Sequence, residues 1–286
     1  MEAAKDAPAD GSAYLSGIRR HLTSIIDKGA LELPVLPGVA AEVLSRSLDD
    51  HSDAARLAQL IQQDQSLASH VLRIVNSPLF RGATEIVALR QAIARLGMER
   101  IREIALSASL SGAVFKQPDY QPLVDRAWQL ALCAGLWSKE VARACRRNVE
   151  IAYLCGLLHN VGVPLVLSAL AGVAKQPLRG ADAQTLVDEF ATRAGALLGR
   201  NWKLPDAVVT TIEHIGRFDG APDHVEAVAI ANAGRGIANA MLPGPLLAAD
   251  VSKLEAIQYL NLYPDDVSTL LQARDSVRQS MESMSS

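Results

Sequence analysis

The chain has 286 residues, 49% of them hydrophobic but only 4% aromatic, and its 28 Lys plus Arg stand against 31 Asp plus Glu for a net charge of -3. A chain near this size buries roughly 75% of its unfolded surface. With so few aromatic rings its core has to be built from Leu, Ala, Val and Ile, of which Leu and Ala favour helix. The balanced charge excludes the basic excess that neutralising several phosphates requires, so no nucleic-acid partner is expected.

Residues 1–12, MEAAKDAPADGS, are polar and acidic with no apolar signal core, and are expected to form a flexible tail. A helix is predicted over 13–28, stopped by Gly29. The segment LPVLPG at 33–38 places two prolines in a turn that leads into a helix over 39–48. Ser52 and Asp53 signal the next helix start, with Leu57, Leu60 and Ile61 as its apolar stripe. Asp64 can cap the helix in which Leu67, Val71, Leu72 and Val75 recur. Asn76, Ser77 and Pro78 end it, because Asn tolerates the left-handed conformation and Pro cannot continue a helix. From Glu85, the spacing of Ile86, Leu89, Ile93 and Leu96 predicts a helix halted by Gly97, and a long one follows from Glu99 toward Phe115.

Pro118 and Pro122 mark the clearest boundary, dividing an N-terminal lobe (13–117) from a second lobe (118–240). The second lobe opens with a helix over 123–147 and continues into an apolar helix that carries His159. A loop with Pro177, Arg179 and Gly180 precedes a helix over 182–198. Trp202, Leu204 and Pro205 lead into a helix to about Gly216, and another covers 222–240. Pro243 and Pro245 break the chain before two closing helices near 251–260 and 265–282, within a C-terminal segment 241–286. No segment alternates apolar and polar residues, so the fold class expected is all-α, without a strand. The stretch 155–174 is long and apolar, but His159, Asn160 and Pro164 interrupt it. A helix apolar all round can be the centre of a large bundle, so the stretch is read as core, no membrane partner is expected, and a cytoplasmic location is.

Cys133, Cys145 and Cys155 are odd in number and lack metal-type spacing. On one helix, Cys133 and Cys145 would lie about 18 Å apart, too far for a disulfide, so reduced, buried thiols are expected. Arg143, Arg146 and Arg147 read as a solvated helix end rather than a nucleic-acid patch. Trp128, Trp137 and Trp202 read as core anchors. His21, His51, His70 and His224 are scattered as surface or packing residues. There is no glycine-rich phosphate loop, and Ser77 has no base to activate it.

Three N-terminal segments, LPVLPGVAAEVL at 33–44, LAQLIQQDQSLASHVLRIVNSPLF at 57–80 and ALRQAIARLGMERIREIAL at 88–106, resemble the HDOD family, a branch of the HD superfamily of metal-dependent phosphohydrolases. YLCGLLHNVG at 153–162 and LLGRNWKLP at 197–205 extend the likeness, which spans about residues 30–235. The resemblance implies an all-helical two-lobe fold, the second lobe HD-like, and a place in bacterial signal transduction or regulation.

A catalytic HD site needs imidazoles and carboxylates from several helices converging on divalent metal, which lowers the pKa of bound water and clamps a phosphoryl oxygen. Laid on that pattern, the sequence departs at nearly every position. The HD pair is His159–Asn160, and the amide cannot supply the charge or bridge two ions as a carboxylate does. The resemblance expects further histidines where Leu130 and Ala191 stand and at the pair Ile215–Gly216, with His214 one residue earlier, and an aspartate where Asn232 stands. A complete four-ligand zinc site is worth on the order of 10–16 kcal/mol. One imidazole, taken as a quarter of that, gives about 3–4 kcal/mol, which is millimolar affinity. No metal and no cofactor are therefore expected. His159 and Asn160 read first as a buried polar pair bonded to neighbouring helices. The function expected is that of a non-catalytic regulatory protein contacting a signalling protein or a second copy of itself. Two alternatives stand beside it: a phosphohydrolase with a rearranged site, and a sensor whose vacated pocket binds a small nucleotide without turnover.

Overall fold

The structure, a computed structural model, describes residues 10–46, 54–80, 82, 84–244 and 246–284, and every regular element among them is helical. The Ser52–Asp53 helix start, His51 and residues 1–9 of the expected tail lie outside the described residues. The N-terminal half runs α1 (Asp10–Asp27), α2 (Gly38–Arg46), α3 (Ala54–Gln63), α4 (Gln65–Val75), α5 (Leu89–Leu96) and α6 (Met98–Ala113). After a 3-10 turn at Pro118–Tyr120 come α7 (Gln121–Ala144), α8 (Val149–Leu158), α9 (Gly162–Val173), α10 (Gly180–Asn201), α11 (Asp206–His214) and α12 (Val225–Met241). Four short helices close the chain: α13 (Ala248–Val251), α14 (Glu255–Tyr259), α15 (Pro264–Leu270) and α16 (Arg274–Met284).

Local chemistry sets the ends of these elements. Asp64 accepts from the Leu67 amide at 3.0 Å and starts α4, as its position predicts. Gly97, at φ +81°, turns the chain between α5 and α6, a conformation open to a residue without Cβ. Asn76 departs from expectation: its φ is -97°, so it is no left-handed cap. Its side chain instead bonds the Ile86 amide at 2.9 Å and the Ile86 carbonyl at 2.8 Å. That two-way clasp holds Ile86 out of a helix, and α5 begins at Leu89 rather than Glu85. The closing region also departs, forming four helices in place of two. Asn261 takes φ +54° just past α14, and Pro264 opens α15 with Asp266 accepting from the Tyr263 amide.

The centre of the molecule is the crossing of α7, α8 and α12. Small residues let their backbones meet: a Cβ on Gly156 would lie 2.6 Å from the Ala134 carbonyl oxygen, and one on Gly234 would lie 2.6 Å from the Ser138 amide. Trp137 is fully buried and donates to Met241 Sδ at 3.2 Å, joining α7 to α12. Trp128 packs on Phe115 with ring centroids 5.1 Å apart, and Trp202 donates to the Pro34 carbonyl at 2.9 Å. All three tryptophans are thus core anchors. Each fully buried Leu or Ile around them contributes roughly 1.5–3 kcal/mol, which is how an aromatic-poor chain sustains its fold.

Polar contacts then join the two halves. Lys139 of α7 reaches the carboxylates of Glu103 and Glu99 on α6, and both Lys139 and Glu103 are buried. The first helix lies on the second half: Arg19 pairs with Glu189 at 2.7 Å, Asp27 with Arg193, and the Lys175 amide donates to the Tyr14 hydroxyl. The last helix returns to the first half, where Ser283 and Ser77 share a hydrogen bond of 2.9 Å.

Candidate functional site

The apolar stretch expected as one helix carrying His159 is two helices. The chain turns at His159, Asn160 and Val161, between α8 and α9. Residues Val149–Val173 have the length and hydropathy of a membrane span, yet 72% of that window is buried within the bundle. Its apolar character is used for core on both sides of the turn, so His159 and Asn160 are polar groups set among buried apolar residues.

His159 is 4% exposed. Its Nδ1 lies 2.6 Å from the Gly156 carbonyl oxygen, so the neutral ring carries its proton on Nδ1 and leaves Nε2 as an acceptor. Burial lowers its pKa to about 4, with the positive charge of Arg235 on α12 adding to the effect. At neutral pH the ring is uncharged. Nε2 has no hydrogen-bond partner.

Asn160 donates from Nδ2 to the Ala127 carbonyl on α7 at 2.8 Å, while its Oδ1 is buried without a partner. Leu130 lies three residues beyond Ala127 in α7, partly buried against the core. Ala191 also borders the turn: a Cβ on Gly162 would come within 2.7 Å of the Ala191 carbonyl carbon and 2.6 Å of the Gly195 amide. Asn232 uses its amide locally, accepting from the Gly216 amide at 2.7 Å and donating to the Val228 carbonyl at 2.9 Å. It ties the loop after α11 to α12. Ile215 ends α11 and packs on the core. His214 is partly buried with Nδ1 toward Gly220, in the 3-10 turn Phe218–Gly220.

Asn160 and Ala191 therefore border the HD turn, with Leu130 one helical turn along α7 from the Ala127 carbonyl that Asn160 bonds, whereas Ile215, His214 and Asn232 build the α11–α12 corner. The donor set does not suit a divalent cation. Among the described residues no three His, Cys, Asp or Glu are grouped to hold one, and the charged side chain acting on His159 is a guanidinium, which would repel it. Asn160 spends its amide on α7, and the alanine and leucine offer no lone pairs.

Arg235 was not singled out by sequence reasoning. It sits one residue after Gly234 in α12, half-buried, and has no hydrogen bond or ion pair among the described residues. One signal was readable: in VEAVAIANAGRGIANAM, Arg235 is the one charged residue beyond the first turn. By contrast, Arg143 pairs with Glu140 and Arg147 with Glu226, as befits a solvated helix end. Cys133 and Cys155 are buried free thiols, their pKa values raised to about 12 by burial, and Cys145 is half-buried and also free.

The HDOD domain model matches residues 33–217. An uncharacterized protein of Treponema pallidum (strain Nichols) is 26% identical over 216 residues, covering 70% of this chain but only 42% of that relative. An HDOD domain protein with unknown function from Geobacter sulfurreducens superposes with a TM-score of 0.70 at 20% identity, over 96% of this chain and 98% of that one. A Shewanella amazonensis SB2B protein, provisionally named a metal-dependent phosphohydrolase, gives 0.69 at 19% identity, with the same coverage. A Marinobacter aquaeolei VT8 protein, provisionally named a signal transduction protein, gives 0.60 at 22% identity over 95% of this chain and 66% of that one. With the all-helical architecture above and a family match over most of its length, the chain belongs to the HDOD family.

Proposed function

We propose that this chain is a non-catalytic HDOD regulatory module of a bacterial cytoplasm, acting through contact with a signalling protein or with a second copy of itself. The observation that carries the reading is the HD turn. Its histidine is buried and neutral, and its second residue is an amide bonded to the α7 backbone. A water nucleophile there would lack the metal that lowers its pKa. The signalling setting is supported by family membership and by the provisional name of the Marinobacter structure. A division of labour between the N-terminal lobe (13–117), the HD-like lobe (118–240) and the closing helices (241–286) belongs to the same proposal.

The test is metal loading followed by assay. Protein incubated with manganese, iron, zinc or magnesium and then desalted is expected to retain far less than one ion per chain and to leave phosphodiester substrates intact. Stoichiometric metal that is lost in His159→Ala, together with turnover, would defeat the reading. Affinity capture with mass spectrometry, alongside light scattering, identifies the partner. A chain that captures nothing and stays monomeric at every concentration counts against it.

A further inference from the structure

An open cleft of about 670 Å³ lies between α4, residues 85–87 ahead of α5, and the end of α16. Leu72, Arg73 and Asn76 recur at helical spacing and so share one face at the C-terminal end of α4. Across from them, the Asn76 amide holds both backbone groups of Ile86, and the Val87 side chain next to it is 72% exposed. Leu72, Ile86 and Val87 give the cleft an apolar lining, while Arg73 and Glu85 give it one charge of each sign. Both charged side chains are exposed, and neither has an ion pair or a side-chain hydrogen bond among the described residues. Linked through Asn76 and Ile86, they root within roughly 13 Å of each other. A buried hydroxyl completes the set. Ser283 of α16, 9% exposed, accepts from the Ser77 hydroxyl at 2.9 Å and keeps its own proton to give.

We infer that this cleft binds a short zwitterionic peptide with an apolar middle residue. Arg73 receives the terminal carboxylate, whose two oxygens suit the planar fork of a guanidinium. Glu85 receives the terminal ammonium, and the apolar lining takes the side chain between them. The Ser283 hydroxyl donates to a peptide carbonyl. Three extended residues span about 10 Å, enough to reach from one charged side chain to the other. A single amino acid brings the same two charges but leaves most of the cleft empty. A bound peptide touches α4 and α16 together, so it ties the last helix to the first half of the chain. None of these residues belongs to the HD turn, so the site is independent of whether that turn gathers a metal.

The experiment is isothermal titration calorimetry of the full chain at pH 7 with the tripeptide Ala-Val-Ala, its N-acetylated form, its C-amidated form and free valine in separate arms. The zwitterionic tripeptide is expected to bind, and removal of either terminal charge to weaken it by about tenfold, the scale of one charge-assisted hydrogen bond. Free valine is expected to bind more weakly than either capped form. Arg73→Met should bind the free-acid and amidated peptides alike, and Glu85→Gln should bind the free-amine and acetylated peptides alike. Both side chains are exposed, so both variants should unfold at the temperature of the natural protein. Free and capped forms are compared within each variant, so a general weakening cannot imitate the result. No binding of the tripeptide, equal binding of its capped forms or of valine, or a variant that keeps its preference for the charged terminus would overturn the inference.

Discussion

Two glycines of α9 provide a sharp test of how the HD turn is held. Gly162 opens the helix against α10, where an added Cβ would lie 2.6 Å from the Gly195 amide and 2.7 Å from the Ala191 carbonyl carbon. Both neighbours are backbone, so no side chain can rotate away. Carbon contacts prefer about 3.5–4.0 Å, so α9 and α10 must part by about 1 Å, forfeiting a quarter to a half of the dispersion energy along their crossing. Overpacking of this kind costs about 3 kcal/mol. Gly172, ten residues on and exposed, would meet nothing within 4 Å. There the same substitution removes only the backbone freedom of glycine and should stabilise by about 0.5–1 kcal/mol. Urea unfolding followed by far-ultraviolet circular dichroism should therefore place Gly162→Ala and Gly172→Ala on opposite sides of the natural protein, about 4 kcal/mol apart. A Gly162→Ala variant within about 0.5 kcal/mol of the natural protein would refute the close approach of these helices.

Other consequences are equally open to measurement. His159 has a folded pKa lowered from 6.5 to about 4, so between those values the unfolded chain binds the extra proton. Stability therefore falls as pH drops from about 6.5 toward 4, by up to about 3 kcal/mol. His159→Gln should lose that part of the pH dependence, and an unchanged difference between pH 7 and pH 4.5 would contradict the burial of the ring. Glu103→Leu should cost about 3 kcal/mol, because it leaves the buried Lys139 with only the half-exposed Glu99; chemical denaturation reads this directly, and a neutral result would mean the pair is solvated. Asn160→Asp should not create metal-dependent phosphodiesterase activity, since Leu130 and Ala191 still offer no ligands. Turnover in that single variant would show that the wrong residues had been matched to the HD pattern.

Much of the fold is legible in the spacing of apolar residues, because an amphipathic helix writes its buried face into the chain. Leu67, Val71 and Val75 do so for α4, and Asp64 declares where that helix starts. The break between α8 and α9 is not legible, because residues 152–158 before the turn and 164–167 after it are all buried, and periodicity vanishes over a stretch with no solvent face. The late start of α5 depends on Asn76 gripping Ile86 from ten residues away, which no local propensity encodes. At the candidate site, the residue types at Leu130, Asn160 and Ala191 are plain from sequence, but which of them meet is a matter of helix crossings. Arg235 shows the same limit. A lone arginine among Ala, Gly and Ile is visible, whereas its want of a partner is a three-dimensional fact.

The docking of α1 on α10 also bears on how the chain is made. Arg19 and Glu189 are 170 residues apart in sequence. On a ribosome adding about 5–20 residues each second, α1 waits roughly ten to thirty seconds before its counterpart exists. Until then its apolar stripe, Ile18, Leu22 and Ile26, has no native surface to cover it. Dilution of crowding chains, or a chaperone that shields that stripe, should therefore raise the yield of soluble protein more than any change to the helix itself.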